Sequence, residues 1–161
     1  MLLALTVAAG AHAEIITGTV VSIADGDTLT RLGASKTQHK IRLAGIDAPE
    51  KAQPFGNVSR QNLGKLAFQK QVEADCGKRD RYGRWVCTVY VDGKDVNLAQ
   101  LQAGLAWWYR KYAHEQPPAQ RATYEAAEAT AHTSRVGLWQ DKNPVPPWEW
   151  RRARAEYRLE R

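Results

Sequence analysis

Three short strings hold the residue types that do chemistry. They are Asp25-Gly26-Asp27-Thr28, Arg42-Leu43-Ala44-Gly45-Ile46-Asp47-Ala48-Pro49-Glu50, and Asp80-Arg81-Tyr82-Gly83-Arg84. Two neighbouring carboxylates repel, and a cation between them relieves the repulsion. Donor sets made only of oxygen suit Ca²⁺ or Mg²⁺ rather than zinc. Arginine donates two parallel hydrogen bonds to a phosphate. Together, clustered acids and arginines suit hydrolysis of a phosphodiester. The bland alternatives stay open at this point. Asp25-Gly26-Asp27 also reads as plain turn chemistry, and the later ligand positions of an EF-hand loop are missing. Asp47 and Glu50 also read as surface charge beside Pro49, and Arg42 as a solvated strand arginine.

The surrounding elements must bring these strings together. Ile15 to Ala24 is rich in β-branched residues and predicts a strand, with Asp25-Gly26 as its turn and Thr28 to Leu32 as the return. Gly33-Ala34-Ser35 turns again into a third strand from Thr37 to Ile46. Asp27 then opens one strand and Asp47 closes its neighbour, at one end of the sheet. Arg42 and Asp47 lie five positions apart, so a regular pleat points them to opposite faces. A bulge near Ala44-Gly45 would bring them together. Pro49 ends the meander.

A helical pattern follows over Asn57 to Lys70, with Leu63, Leu66, Ala67 and Lys70 on one face. Strands are expected over Gln71 to Cys76 and Arg84 to Val91. Asp95 is an N-cap for a helix through Gln102, with Gly104 past its end. Pro117-Pro118 opens a long Ala-rich helix with Ala122, Ala126 and Ala129 on one face and Gly137 as its stop. Five strands with a helix between the third and fourth is the order of an OB-fold barrel. The expected class is mixed α+β, mainly β: a five-stranded OB-fold barrel with three packed helices. Residues 14–143 form this domain. Pro144 to Trp150 reads as extended, and residues 144–161 form a tail in which five Arg face three Glu from Glu149 onward. The tail either lies on the body through Trp148 and Trp150 or helps to grip nucleic acid.

With 161 residues the chain suits one domain, and its net charge of +6 suits a polyanionic partner without requiring one. Residues 1–13 are apolar and small and end in Ala11-His12-Ala13, the form of a signal-peptide cleavage site, although no Lys or Arg lies near the start. They are too few to span a bilayer as a helix. The expectation is an exported monomer with no stable membrane association. Export permits a disulfide, and Cys76 and Cys87 flank a turn-like segment that sets them opposite each other. Two buried free thiols are the alternative. Trp107-Trp108-Tyr109-Arg110-Lys111-Tyr112 interleaves rings with cations, as base-stacking surfaces do and as core edges also do. The four histidines form no recognisable arrangement.

The three strings, in this order and with Gly104-Leu105-Ala106 after the second expected helix, resemble the staphylococcal (micrococcal) nuclease family over Ile15 to Trp139. The resemblance implies an OB-fold with packed helices, Ca²⁺-dependent cleavage of DNA and RNA, and 3′-phosphate products. It implies Asp27 and Asp47 as carboxylate ligands of Ca²⁺, Ala48 as a ligand through its backbone carbonyl, and Asp25 as a supporting carboxylate behind them. It implies Glu50 as the group that orients or activates water, and Arg42 and Arg84 as phosphate-binding arginines. It also implies Tyr82 and Tyr112 as neighbours of the substrate. The family pattern has threonine where this chain has Ala48, so a hydroxyl is lost while the carbonyl is kept. A non-catalytic OB-fold nucleic-acid-binding protein is the main rival, and an exported protein that binds some other anion is a second. Five intact acid and arginine positions argue against the first.

Overall fold

The computed structural model describes residues 14–160. The elements in chain order are β1 (Glu14–Asp25), β2 (Thr28–Leu32), β3 (Gln38–Leu43), β4 (Ile46–Asp47), α1 (Gly56–Ala67), β5 (Gln71–Arg79), β6 (Trp85–Val91), β7 (Lys94–Asp95), α2 (Val96–Gln102), β8 (Trp107–Trp108), α3 (Pro118–Thr133) and α4 (Pro147–Leu159), with single 3₁₀ segments at Arg110–Glu115 and Gly137–Gln140. The signal-peptide expectation for residues 1–13 lies outside the described residues.

Antiparallel pairing runs β3-β2-β1-β5-β6-β7, and a parallel pairing of β3 with β6 closes five of these strands into the barrel of an OB-fold. Strand side chains alternate between two faces. The inward set is Val20, Leu29, Ile41, Leu43, Val72, Ala74 and Val89, all 1 % exposed or less. Leu63 and Ala67 from α1 and Leu101 from α2 pack against it. Asp95 caps α2 as expected, accepting the Leu98 amide at 2.9 Å.

The third expected strand is interrupted. Ala44-Gly45 turns out of β3, with Gly45 at φ +72°, before β4 resumes. Only glycine adopts that conformation freely. β4 then pairs with β8, Asp47 opposite Trp107.

Two expectations fail. The three helices expected of residues 14–143 are α1, α2 and α3, but the tail is not extended and adds a fourth, α4. Pro146 and Pro147 occupy the N-cap and first helical position of α4. Proline is pre-organised for that place because its fixed φ is helical and its missing amide would have no partner there. On α3, Ala122, Ala126 and Ala129 share one face as expected; it is turned to solvent, and the buried face is Tyr124, Glu128 and Ala131. Gly137 does not stop α3. The helix ends at Thr133, and Arg135 takes the left-handed turn at φ 52°. Gly137 instead allows close backbone contact, since a Cβ there would overlap the Gly104 carbonyl oxygen.

Candidate active site

The two acidic strings meet because of what lies behind them. Gly26, between Asp25 and Asp27, is buried against Ser59 of α1 and Ala48, so closely that a Cβ would overlap Ser59 Oγ and lie 2.8 Å from Ala48 Cβ. Its carbonyl accepts the Gln100 amide from α2 at 2.6 Å, and the same amide reaches the Ser59 carbonyl at 3.1 Å. Asn97 donates to the Ala44 and Cys87 carbonyls, each at 3.0 Å, and accepts from the Val89 amide at 3.1 Å. Ser59, Asn97 and Gln100 are fully buried. Each satisfies backbone groups at a turn where the sheet ladder has ended, which would be costly to leave unpaired. Sequence reasoning missed all three, because polarity alone gives no sign of burial.

On this support, Asp27 and Asp47 converge at adjoining strand ends. The Leu43 amide donates to the Asp27 carbonyl at 2.8 Å, and the Ala48 amide donates to Asp27 Oδ2 at 2.6 Å. The Gly45 turn cancels the pleat and brings Arg42 back onto the acids. Arg42 Nη1 lies 3.0 Å from Asp27 Oδ2, and Nη2 lies 3.0 Å from Asp47 Oδ1. These side chains are 14 %, 8 % and 2 % exposed respectively. Asp25 accepts the Asp27 amide at 3.0 Å. Burial, and then the charge of Asp27, push the Asp25 carboxyl up to about 7. Burial also raises Asp47, against the lowering pull of Arg151 and Arg42. Too much negative charge has been packed into too little water, which is the setting in which a cation is held.

Arg84 comes from the β5–β6 hairpin. Asp80 fixes it, accepting its Nε at 2.7 Å and its backbone amide at 3.0 Å, and these bonds hold the Asp80 carboxyl below its ordinary value even though partial burial acts to raise it. Arg84 Nη1 reaches Thr28 Oγ1 at 3.4 Å, and that hydroxyl donates to Asp27 Oδ1 at 3.0 Å. The hairpin and the acidic cluster are therefore linked. Tyr82 is exposed at the hairpin tip, its ring 5.5 Å from the Arg84 guanidinium. At the hairpin's base, Cys76 and Cys87 are cross-strand partners joined by a disulfide.

Glu50 follows Asp47 through the Pro49 turn. Its amide donates to Gln53 Oε1 at 3.1 Å, and Gln53 reaches across to the Val145 carbonyl at 2.5 Å. The Glu50 side chain is 39 % exposed. Its partner is Arg151 of α4, whose Nη1 lies 2.8 Å from Glu50 Oε1 and whose Nη2 lies 2.8 Å from Asp47 Oδ2. Arg151 was not singled out from the sequence. The Pro-Pro-Trp-Glu-Trp-Arg run contained the cue, since proline at a first helical position followed by aromatics marks a docked helix.

The aromatic stretch divides. Tyr109 stacks on Trp148 of α4, with centroids 5.5 Å apart and planes 6° apart. Its hydroxyl is raised by burial and then by the charge of Asp47, so it borders the acids. Tyr112 lies one ring further out, edge-on to Tyr109 at 5.0 Å and under Lys78 at 4.8 Å.

In donor chemistry, Asp27 and Asp47 fit a hard divalent cation. Among the described residues, however, no three His, Cys, Asp or Glu side chains converge as a ready-made cation site. Guanidinium groups of Arg42 and Arg151 supply positive charge to these acids. No described helix is long and apolar enough to cross a membrane.

Residues 40–141 match the family described as Staphylococcal nuclease homologue. A Haemophilus influenzae protein described as an uncharacterized endonuclease is 41 % identical over 152 residues, covering 94 % of this chain and 82 % of that protein. Protein ParB of Escherichia coli is 41 % identical over 92 % of this chain and 85 % of its own length. The micrococcal nuclease of Shigella flexneri is 40 % identical over 84 % of this chain and 80 % of its own length.

Proposed function

The chain belongs to the staphylococcal nuclease family, and from that premise we propose that it is an exported, Ca²⁺-dependent endonuclease that hydrolyses DNA and RNA and leaves 3′-phosphates. The observation that carries the proposal is Arg42 bridging Asp27 and Asp47 at 3.0 Å to each, with Glu50 one turn away. Buried acids and a guanidinium of this kind are the parts needed to bind a cation and a phosphodiester together. The disulfide supports an oxidising compartment, since such bonds persist outside the cytosol.

Asp27 and Asp47 would hold the cation with the Ala48 carbonyl, and Asp25 would steady Asp27 from behind. When bound, the cation polarises a phosphoryl oxygen and offsets the charge that builds during attack. Arg42 and Arg84 donate to the remaining phosphoryl oxygens, which gain charge as the attacking water closes. Glu50 accepts the proton of that water, a role worth roughly 10²–10⁴-fold in rate. The bond from phosphorus to the 5′ oxygen breaks, the 5′ oxygen takes a proton, and a 3′-phosphate and a 5′-hydroxyl result. Tyr82 at the hairpin tip and Tyr112 border the path of the substrate beside these groups.

The test is incubation of the pure protein with plasmid DNA and with RNA, in Ca²⁺ or in excess EGTA. Nicked and shortened products in Ca²⁺, with ends that phosphatase converts to 3′-hydroxyls, are expected. Undiminished cleavage in EGTA rejects the cation requirement, and binding without cleavage favours the non-catalytic OB-fold alternative.

A further inference from the structure

Arg151 is the side chain at this site that the roles above leave unused. It grips both acids on the far side from Arg42, through Asp47 Oδ2 and Glu50 Oε1 at 2.8 Å each, and its Nη1 also lies 3.3 Å from Asp47 Oδ1. Asp47 is thus enclosed by two guanidiniums, Arg42 on Oδ1 and Arg151 across both oxygens. Three of the roughly four acceptor sites of that carboxylate are then taken by guanidinium groups, so a cation that binds Asp47 competes with them for its oxygens.

The two arginines are not equally placed to withdraw. Arg42 is 14 % exposed and also holds Asp27, so its departure would strip two buried carboxylates at once. The Arg151 side chain is 43 % exposed, at the rim, and water can receive its guanidinium. Its backbone stays where it is, because the start of α4 is docked. Pro147 is buried, Trp148 packs on Tyr109 and meets Trp107 edge-on at 5.7 Å, and Gln53 holds the Val145 carbonyl. Residues 152–160 of the same helix are exposed.

We propose that Arg151 is a positioning residue of the catalytic site: it serves as the internal counter-charge of Asp47 and Glu50 in the cation-free protein, and it competes with the divalent cation for them. The inference rests on the cation-dependent reading above and adds that the cation's affinity is set by a side chain outside the barrel. When a doubly charged ion takes Asp47, Arg151 is released, still tethered at the rim and within reach of Glu50. Cation-free protein keeps its acids neutralised, and so keeps them in place.

Calcium titration calorimetry of the full chain, its Arg151→Gln and Arg151→Lys variants, and Arg158→Gln as a control on the exposed part of the helix tests this, together with melting in EGTA and in Ca²⁺. If the open state is populated at about one part in ten, Arg151→Gln binds Ca²⁺ about tenfold more tightly than the parent, with Arg151→Lys between them and Arg158→Gln unchanged. The Arg151→Gln variant also melts lower than the parent in EGTA, and Ca²⁺ closes the gap. A side chain that only ties α4 down would give equal or weaker Ca²⁺ binding on removal. That result, with the parent binding Ca²⁺ normally, overturns the inference and leaves the calcium reading intact. Failure of parent and Arg151→Gln alike to bind Ca²⁺ overturns both, whereas binding by Arg151→Gln alone supports the competition.

Discussion

Arg42→Met removes the guanidinium that joins the two strand-end acids and keeps much of the side-chain stem. Asp27 and Asp47 are then left together, 5 % and 1 % exposed, with Arg151 as the remaining guanidinium on the pair. Stripping one partner from a buried ion pair costs about 3–5 kcal/mol, because the other charge stays buried without compensation. Arg151 still neutralises part of Asp47, so the lower end, about 3 kcal/mol, is the expected loss. For a domain of about 150 residues each kcal/mol moves the melting temperature by about 2–4 °C, so a drop of roughly 6–12 °C is expected. The assay is thermal unfolding in EGTA, followed by tryptophan fluorescence. Adding Asp27→Asn to the Arg42→Met background deletes the orphaned charge and should restore part of the loss, with a coupling on the order of 1–3 kcal/mol. Arg42→Met within about 1 kcal/mol of the parent, or no recovery in the double variant, would refute the claim that Arg42 neutralises a buried acid pair.

Gly26→Ala should cost about 1–3 kcal/mol in urea unfolding, because its Cβ forces α1 away from the acidic turn, and calcium affinity should fall with it; an unchanged urea midpoint rejects that packing argument. Reducing Cys76–Cys87 should cost roughly 3 kcal/mol by loop entropy, and denatured, unreduced protein should show no free thiol; two reactive thiols contradict the bridge. Asp80 has a carboxyl held below its ordinary 3.8, so its contribution is present above that pH and is lost as pH falls through the lowered value. Asp80→Asn should therefore melt lower than the parent at pH 7, the gap should narrow as pH falls below 3.8, and the variant should cleave more slowly at pH 7 because Arg84 loses its tether; a melting difference that does not change with pH rejects the tether.

The strings that build the candidate site were legible because each is local. Asp25-Gly26-Asp27 and Asp47-Ala48-Pro49-Glu50 are turns whose residues fix their own conformation, and strand periodicity located the turns. The pleat conflict between Arg42 and Asp47 was legible too, together with its solution at Ala44-Gly45, because glycine marks where a ladder breaks. Burial of polar groups was not legible. Gln100 and Asn97 look like solvent-facing helix residues until the Gly26 and Ala44 carbonyls are seen to need donors. Glu128 is buried for a similar reason: it accepts the Trp108 amide at 2.9 Å and pairs with Arg110 at 2.6 Å. With Glu128 inward, the small Ala122, Ala126 and Ala129 face of α3 is turned to solvent. The tail failed differently. Its Pro-rich start suggests extended chain, its Arg-rich remainder has almost no apolar face to bury, and the docking of Pro147 and Trp148 with the Gln53 bond to Val145 fixes where Arg151 goes.

The central claim is that the cluster hydrolyses phosphodiesters with Glu50 as the proton acceptor. The direct measurement is the single-turnover cleavage rate of Glu50→Gln at saturating DNA and Ca²⁺, with DNA affinity measured separately in EGTA. Glutamine keeps the shape and one hydrogen-bond acceptor but cannot take the proton. The rate should fall on the order of 10²-fold or more while affinity for DNA stays near that of the parent. Cleavage by Glu50→Gln at close to the parent rate would contradict the account.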